Sequence, residues 1–496
     1  MNIGTFLERG AKRNSGAPAI VFGDRVLGYP SLIDRVGRLA AGLRELGLAR
    51  GDRVLLLMPN CPELVECLWA CFRGGFVAVP VNWHLHPDEV GYIVDDSVAS
   101  AVVLSEATAH VAGTLGGGVR VIQVGAVGAT AKVCEYESVF ADHPAPVADT
   151  QADDAAWLFY TSGTTGKPKG AVLTHRNLTA MSRAYQHDLD AVPDGSVHLH
   201  AAPLTHGSGL YLVPTTDRGA THVIAPGTSF SPSGYLDLIE RHHVTHATFL
   251  APTMLNRLVA QAAARDLTSL RSIVVGGAPL YQEDLHRATA AFGPIITQMY
   301  GQGEAPMTIT VMPADEALSR PGSCGRPFST VDVRIRDVDG RPVAPGADGE
   351  VQVKGDVVMR EYWHNPDATR RTLEDGWLRT GDIGHFEDGY LYLTDRAKDV
   401  IITGGSNVYP REVEEVLLRH PAVREAAVIG VPDPDWGESV RAFVVASGVT
   451  ASELIEYCAT RIASFKKPRS VYFVDELPKN ATGKILKREL RHTSTR

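Results

Sequence analysis

The chain has 496 residues, 44% of them hydrophobic and 21% charged, with a formal net charge of −9: an ordinary globular protein, long enough for more than one domain. That charge favours solubility and gives no reason to expect a nucleic-acid partner; six cysteines are too few for a disulfide framework, and no apolar run reaches membrane-span length. The first residues, MNIGTFLERGAKRNSG, lack the apolar core of a signal peptide, so a cytoplasmic enzyme is expected. A helical pattern opens the chain, then a short strand at 19–22 and a helix through Leu32, Val36, Leu39, Ala40 and Leu43. From Val54 a regular alternation sets in: strand 54–58, helix 62–73, strand 77–81, helix 87–95, strand 101–104. It predicts a parallel sheet covered by helices. Cys61, Cys67 and Cys71 read as buried small hydrophobes rather than metal ligands, since Cys67 and Cys71 lie in the apolar pattern LVECLWACF. VRVIQV forms a further strand, and residues 141–155 a polar, proline-containing linker.

The linker leads into WLFYTSGTTGKPKGAVLTHRNL, residues 157–178. Its apolar start reads as a buried strand that empties into ten residues holding three glycines, three threonines, one serine and two lysines. Glycines let backbone approach an anion, hydroxyls donate to it, and lysines supply charge, so this loop can wrap phosphates. It is not a Walker A loop, because Gly163 and Gly166-Lys167 stand too close together and Pro168 follows the lysine.

Beyond it a helix is predicted from about Arg176, with strands at 197–201, 221–224, 247–250, 272–275 and 295–300 alternating with helices at 234–241, from 253 and from 281. After Pro321, Val331, Val333 and Ile335, then Val351 and Val353, then Tyr390 and Tyr392 alternate with polar residues, predicting a small antiparallel sheet or barrel that closes the large domain. The last hundred residues form another unit: the helix PREVEEVLLRH, strands AAVIGV and AFVVAS, the helix SELIEYCATRI and the strand VYFVDEL. From Ser464 to Arg496 there are nine Lys/Arg against three Asp/Glu, which suits either a solvated tail or an anionic ligand.

Several further motifs follow the phosphate-type loop: APLTHGSG at 202–209, GGAP at 276–279, YGQGE at 300–304, WLRTGD at 377–382, DRAKD at 395–399, the glycine pair at 404–405, and PKNATGKIL at 478–486. GSG at 207–209 is not a hydrolase elbow, because His206 stands where that turn needs glycine. Together, and in this order, the loop and these motifs resemble the adenylate-forming (AMP-binding) superfamily, in its acyl-CoA synthetase branch. The resemblance implies an α/β fold: a large N-terminal domain of parallel α/β sheets with a small β-barrel-like sheet over residues 1–394, a hinge at 395–399, and a smaller mobile α+β C-terminal domain over 400–496.

It also implies residue roles. Thr161, Ser162, Gly163, Thr164, Thr165, Gly166, Lys167 and Lys169 would hold ATP phosphates, and Gly277, Ala278, Pro279, Tyr300, Gly301, Gln302 and Gly303 would surround adenine and the α-phosphate. Asp382 would take the ribose hydroxyls, and Arg396 would contact ribose or phosphate. Glu304, with Thr161, would hold Mg²⁺, since hard cations prefer oxygen. Lys484 would be the catalytic lysine that offsets charge as a carboxylate attacks phosphorus. His206 would gate an acyl pocket lined by Gly207, Gly209, Leu210, Met254, Gly276, Met299, Pro306 and Met307, with the glycines leaving room for a ring. Gly404 and Gly405 would line the channel for CoA, and Lys398 would be the hinge. Gly303 departs from the family's threonine or serine, leaving the α-phosphate one hydroxyl donor fewer, for which Gln302 or Thr161 could stand in.

The expected reaction is carboxylic acid plus ATP giving acyl-adenylate and pyrophosphate, then thioester formation with CoA and release of AMP. The alternative is a stand-alone adenylation enzyme loading an acyl group onto a carrier protein; its amino-acid members carry a pocket aspartate, and residues 204–212 have none. The apolar pocket predicts an uncharged aryl, cinnamate-like or medium-chain fatty acid. Partners are this acid and CoA, and a homodimer is compatible with them.

Overall fold

The computed structural model describes residues 1–116, 118–126, 133–161, 167–396, 399–403, 406–434, 436–462, 464–480 and 483–493, with backbone alone at 395, 396, 402, 406, 407, 492 and 493. A seven-stranded sheet runs in the order Val133–Glu135, Arg120–Val124, Ala99–Ser105, Arg53–Leu57, Val77–Pro80, Ala155–Thr161, Lys169–Thr174. Its pairings are parallel except the last, which is antiparallel. Both faces are covered: Val54 and Leu56 enter one hydrophobic cluster, Leu55 and Leu57 another. Such burial explains why these strands read as continuous apolar runs.

The larger sheet carries, in spatial order, Asp332–Arg336, Gly349–Lys354, Trp377–Glu387, Tyr390–Arg396, Ser323–Pro327, Thr310–Met312, Ile296–Tyr300, Ser272–Gly276, His246–Leu250, Val197–His200, Thr221–Ile224, Pro18–Phe22 and Arg25–Gly28. The strands from Ile296–Tyr300 to Pro18–Phe22 pair in parallel. The antiparallel strands expected after Pro321 are present. They are joined edge to edge to the larger sheet through Thr310–Met312 and Ser323–Pro327 rather than standing apart.

Between the two sheets lies the helix Pro62–Gly74, started by Pro62 and stopped by Gly75 at φ 72°. All its residues but Arg73 are buried, Cys67 and Cys71 included. One cluster runs from Leu56, Ala78 and Trp157 through this helix to Ile20, Val274 and Met299. The linker 141–155 is no free tether: Ala145 N donates to Gly37 O, Ala148 N to Arg73 O, and Arg73 Nε to Ala145 O.

The C-terminal unit is a sheet of Ser406–Val408, Ile401–Thr403, Gly437–Ala446 and Val423–Asp433, with Ser470–Phe473 parallel to Gly437–Ala446, and has its own cores. It meets the first part across a polar seam. Glu414, 3% exposed, accepts from Tyr281 Oη at 2.9 Å and Val428 N at 2.8 Å, and pairs with Lys487 at 2.8 Å. Arg411 donates to Leu393 O at 2.9 Å. Among the described residues no helix is long and apolar enough to cross a membrane.

Candidate active site

The strand before the phosphate-type loop is followed by a second strand that the sequence reading lacks. Ala155–Thr161 and Lys169–Thr174 form a hairpin with Thr161 paired to Lys169, and the helix expected from about Arg176 starts at His175. Lys169–Thr174 escaped prediction because GAVLT is short and follows the glycine-rich run directly. The loop tip, Ser162, Gly163, Thr164, Thr165 and Gly166, lies outside the described residues. Its base is well anchored: Tyr160 Oη donates to Asp96 Oδ2 at 2.6 Å, and Tyr92 Oη reaches Asp96 at 3.3 Å and Pro168 O at 3.2 Å. The Lys169 ammonium lies 4.3 Å from the centre of the Tyr362 ring, and the Lys167 ammonium 5.1 Å from that of Tyr92.

The segment carrying Tyr362 runs alongside Lys169–Thr174, with Val172 N bonded to Glu361 O and Trp363 N to Gly170 O. Met359 N also donates to Glu304 O at 2.7 Å, so the segment stitches the hairpin to the loop carrying Glu304. Glu304 Oε1 accepts from Tyr362 Oη at 2.7 Å and from Thr161 Oγ1 at 3.1 Å. Burial and the Glu304 carboxylate push the Tyr362 phenol up, so it remains a donor.

Asp382, 6% exposed, sits on the Trp377–Glu387 strand opposite Arg396. Its Oδ2 accepts from Tyr300 Oη and Gln302 Nε2, both at 2.6 Å, and Gln302 also donates to Thr380 O at 2.9 Å. Burial, then Asp382, holds the Tyr300 phenol far above its usual range. Gln302 and Thr161, the expected stand-ins for the hydroxyl missing at Gly303, are thus engaged with Asp382 and Glu304.

His206 precedes the Gly207–Leu210 helix, with Nδ1 3.1 Å from Thr205 Oγ1. Burial lowers its pKa to about 4, so the imidazole is neutral at pH 7. The lysine loop curls over the same cleft. Gly483 N donates to Asn480 O and Lys484 N to Asn480 Oδ1, and Gly483 adopts φ 82°. A Cβ at Gly483 would lie 2.1 Å from Thr253 Oγ1, so the turn rests directly on the 251–253 segment.

A single cleft of about 2850 Å³ is lined by Thr161, Lys169, His206, Tyr300, Glu304, Asp382 and Lys484. Gly277, Ala278, Pro279, Gly301, Gln302, Gly303, Met254 and Met299 line it too. Gly207, Gly209, Leu210, Gly276, Pro306 and Met307, assigned to the acyl pocket from sequence, do not. For Gly207 and Gly276 the reason is Phe249, at φ 43° beside a break in strand register. A Cβ at Gly207 or Gly276 would meet its ring at 3.5 or 3.2 Å, so Phe249 fills the room that these two glycines were expected to leave for a substrate ring. Lys398, Gly404 and Gly405 lie outside the described residues, as does the side chain of Arg396. Sequence reasoning missed Tyr362, Asp96 and Phe249. No local pattern marks them, because each acts on residues distant in the chain.

The residues present fit a divalent cation. Glu304 and Thr161 offer hard oxygens side by side, and no group of three or more His, Cys, Asp or Glu able to hold a metal occurs among the described residues. A cation here would therefore draw most of its ligands from phosphate.

Comparison with known proteins gives the same picture. The AMP-binding enzyme family matches residues 7–363, and the AMP-binding enzyme C-terminal domain matches residues 412–484. A feruloyl-CoA synthase of an Amycolatopsis species is 40% identical over 497 residues, 99% of this chain and 98% of that one. The long-chain-fatty-acid–CoA ligase FadD13 of Mycobacterium tuberculosis is 37% identical over 478 residues, 93% of this chain and 92% of its own. The crystal structure of the anthranilate CoA ligase AuaEII in complex with anthranoyl-AMP superposes with a TM-score of 0.92 at 28% identity, covering 99% of this chain and 97% of that one.

Proposed function

The chain belongs to the AMP-binding enzyme family, and we propose that its cleft carries out both steps of an AMP-forming acyl-CoA synthetase on an uncharged aryl, cinnamate-like or medium-chain fatty acid. The observation that carries this reading is the convergence of Thr161, Lys169, Glu304, Asp382, His206 and Lys484 on one cleft from both parts of the chain. The protein is an acid–thiol ligase. Its named relatives, a feruloyl-CoA synthase and a fatty-acid–CoA ligase, favour CoA over a carrier protein as acceptor.

The residues divide the work as follows. The hairpin loop and Lys169 hold the ATP phosphates, and Asp382 accepts from the ribose hydroxyls, exchanging the tyrosine and amide donors it now holds. Glu304 and Thr161 would hold Mg²⁺, which supplies charge neutralisation between phosphates. His206, neutral and half-buried, borders the site where the acid's carboxylate approaches. That carboxylate attacks the α-phosphorus, the pyrophosphate oxygen leaves, and the Lys484 ammonium offsets the negative charge gathering on both partners.

For the second step the C-terminal unit turns about residues 395–399, with Lys398 as pivot, and brings residues 404–405 to the CoA entrance. The polar seam around Glu414 and Arg411 suits such a rotation. Arg469 lies 4.7 Å from the Trp436 ring and Arg441 5.0 Å from the Tyr472 ring, pairings that suit a nucleotide-bearing thiol.

The test is pyrophosphate release with ATP and Mg²⁺ across benzoate, cinnamate, hexanoate, octanoate, malonate and β-alanine, with and without CoA. An uncharged acid should come out best, with AMP released only when CoA is present. If malonate or β-alanine were preferred, the reading of the acid would be wrong.

A further inference from the structure

Gly303 is not a glycine for the sake of its backbone. It is absent from the positive-φ residues, so its conformation is open to any side chain. Its neighbours decide the matter. A Cβ there would lie 2.6 Å from Phe159 Cδ1, 3.0 Å from Phe159 Cε1 and 2.6 Å from Thr161 Cγ2. Neither neighbour can easily step back. The Phe159 ring stacks on Trp157 at 6.4 Å and 25°, and fully buried Trp157 stacks in turn on Phe72 at 6.2 Å. Thr161 is tied through its hydroxyl to Glu304 at 3.1 Å. Phe159 also meets His206 edge-on at 6.4 Å and 75°, and Phe159, His206 and Gly303 all line the cleft. Its ring therefore stands between the histidine on one side and the Thr161–Glu304 pair on the other. The volume it uses is the volume a residue-303 side chain would need.

We propose that Phe159 is a specificity-determining residue, paired with Gly303, whose ring walls the junction between the acid and phosphate sites and excludes acids branched at the carbon next to the carboxylate. This rests on the acyl-CoA synthetase reading above. In a packed wall an added methyl group has no space to enter, whereas a smaller residue at 159 opens that space.

The experiment uses the full-length enzyme as parent, Gly303→Thr, Phe159→Leu and the double variant, with the melting temperature of each recorded. The acids are cinnamate with α-methylcinnamate, or octanoate with 2-methyloctanoate, whichever unbranched acid the parent prefers. Phe159→Leu should raise kcat/KM for the branched acid relative to the unbranched one by about tenfold or more, within the range that one carbon commands in an apolar site. Gly303→Thr alone should lose about tenfold or more on both acids, and Phe159→Leu should restore part of that loss, the contact with Thr161 remaining, a coupling expected only of residues in contact. If Gly303→Thr shows no cooperative melt, Gly303→Ala, which adds only the clashing carbon, takes its place in the cycle.

A Gly303 variant as active as the parent, a double variant no better than the Gly303 single, or an unchanged branched-to-unbranched ratio in Phe159→Leu would each overturn the proposal while leaving the ligase reading intact. A parent that releases no pyrophosphate with any acid would overturn both.

Discussion

Glu304 Oε1 takes two hydroxyl donors, Thr161 and Tyr362, from segments that the chain brings together only on folding. A hydrogen bond to a charged acceptor contributes about 1.5–3 kcal/mol, so Tyr362 fixes the carboxylate firmly. Tyr362→Phe keeps the ring beside Lys169 and removes only the hydroxyl. It should raise the Mg²⁺ concentration for half-maximal pyrophosphate release by about tenfold, with thioester formation from supplied acyl-adenylate unaffected. An unchanged Mg²⁺ titration would show that Tyr362 is only packing. Glu304, Asp382 and His206 stand out in the sequence because each lies in a distinctive local motif. Tyr362, Phe249 and the crowding of Gly303 by Phe159 do not, since they are contacts between segments tens or hundreds of residues apart. The register break that turns Phe249 over Gly277 leaves no mark in the sequence.

At the scale of elements, the phosphate-type loop caps an antiparallel hairpin rather than a strand-to-helix turn. Among the described residues a strand, Lys169–Thr174, and not a helix N-terminus follows it, so anion binding there would fall to amides, hydroxyls and lysines. The lysine turn at 478–486 is built with similar economy of space. Gly483 combines φ 82° with a Cβ position 2.1 Å from Thr253 Oγ1, so glycine is required on both counts. Gly483→Ala should lift the turn off the 251–253 segment and slow adenylate formation about 10²-fold, the scale on which small misplacements act. Single-turnover kinetics would check this, and adenylation at the parent rate would show that the turn tolerates displacement. Long alternating elements were legible because burial on both faces, as at Arg53–Leu57, imposes continuous apolar runs. Lys169–Thr174, Ile401–Thr403 and Ser406–Val408 were not, being short strands next to glycines, too brief to show a periodic pattern.

Across the whole molecule, His175, His198, His200 and His222 are buried and His206 half-buried, all with their pKa values lowered by desolvation, to about 4 for His175 and His206 and about 3 for His222. In the unfolded chain each would bind a proton near pH 6.5, so below that pH the unfolded state holds more protons and stability must fall with acidity. Glu66, Asp284 and Glu415, raised by burial, act the other way and are outnumbered. The melting temperature should thus be flat above about pH 6.5 and drop as pH falls to 5.5, each histidine contributing up to about 1.4 kcal/mol per pH unit. A midpoint unchanged between pH 7.5 and 5.5 would mean these imidazoles are protonated in place. The division of the chain into two bodies was legible from its composition and motif order. The seam was not, because Glu414 is an unremarkable helix residue until Tyr281 and Lys487 meet it. That seam now holds Lys484 over the cleft, and on our reading it must open for the second step. Single-turnover measurement of both half-reactions in Lys484→Ala tests this most directly. Adenylate formation should fall about 10²–10³-fold, as when a charge-stabilising donor is removed, while CoA thioester formation from supplied acyl-adenylate proceeds near the parent rate. Equal loss in both half-reactions would contradict the assignment of Lys484 to one arrangement of the two bodies.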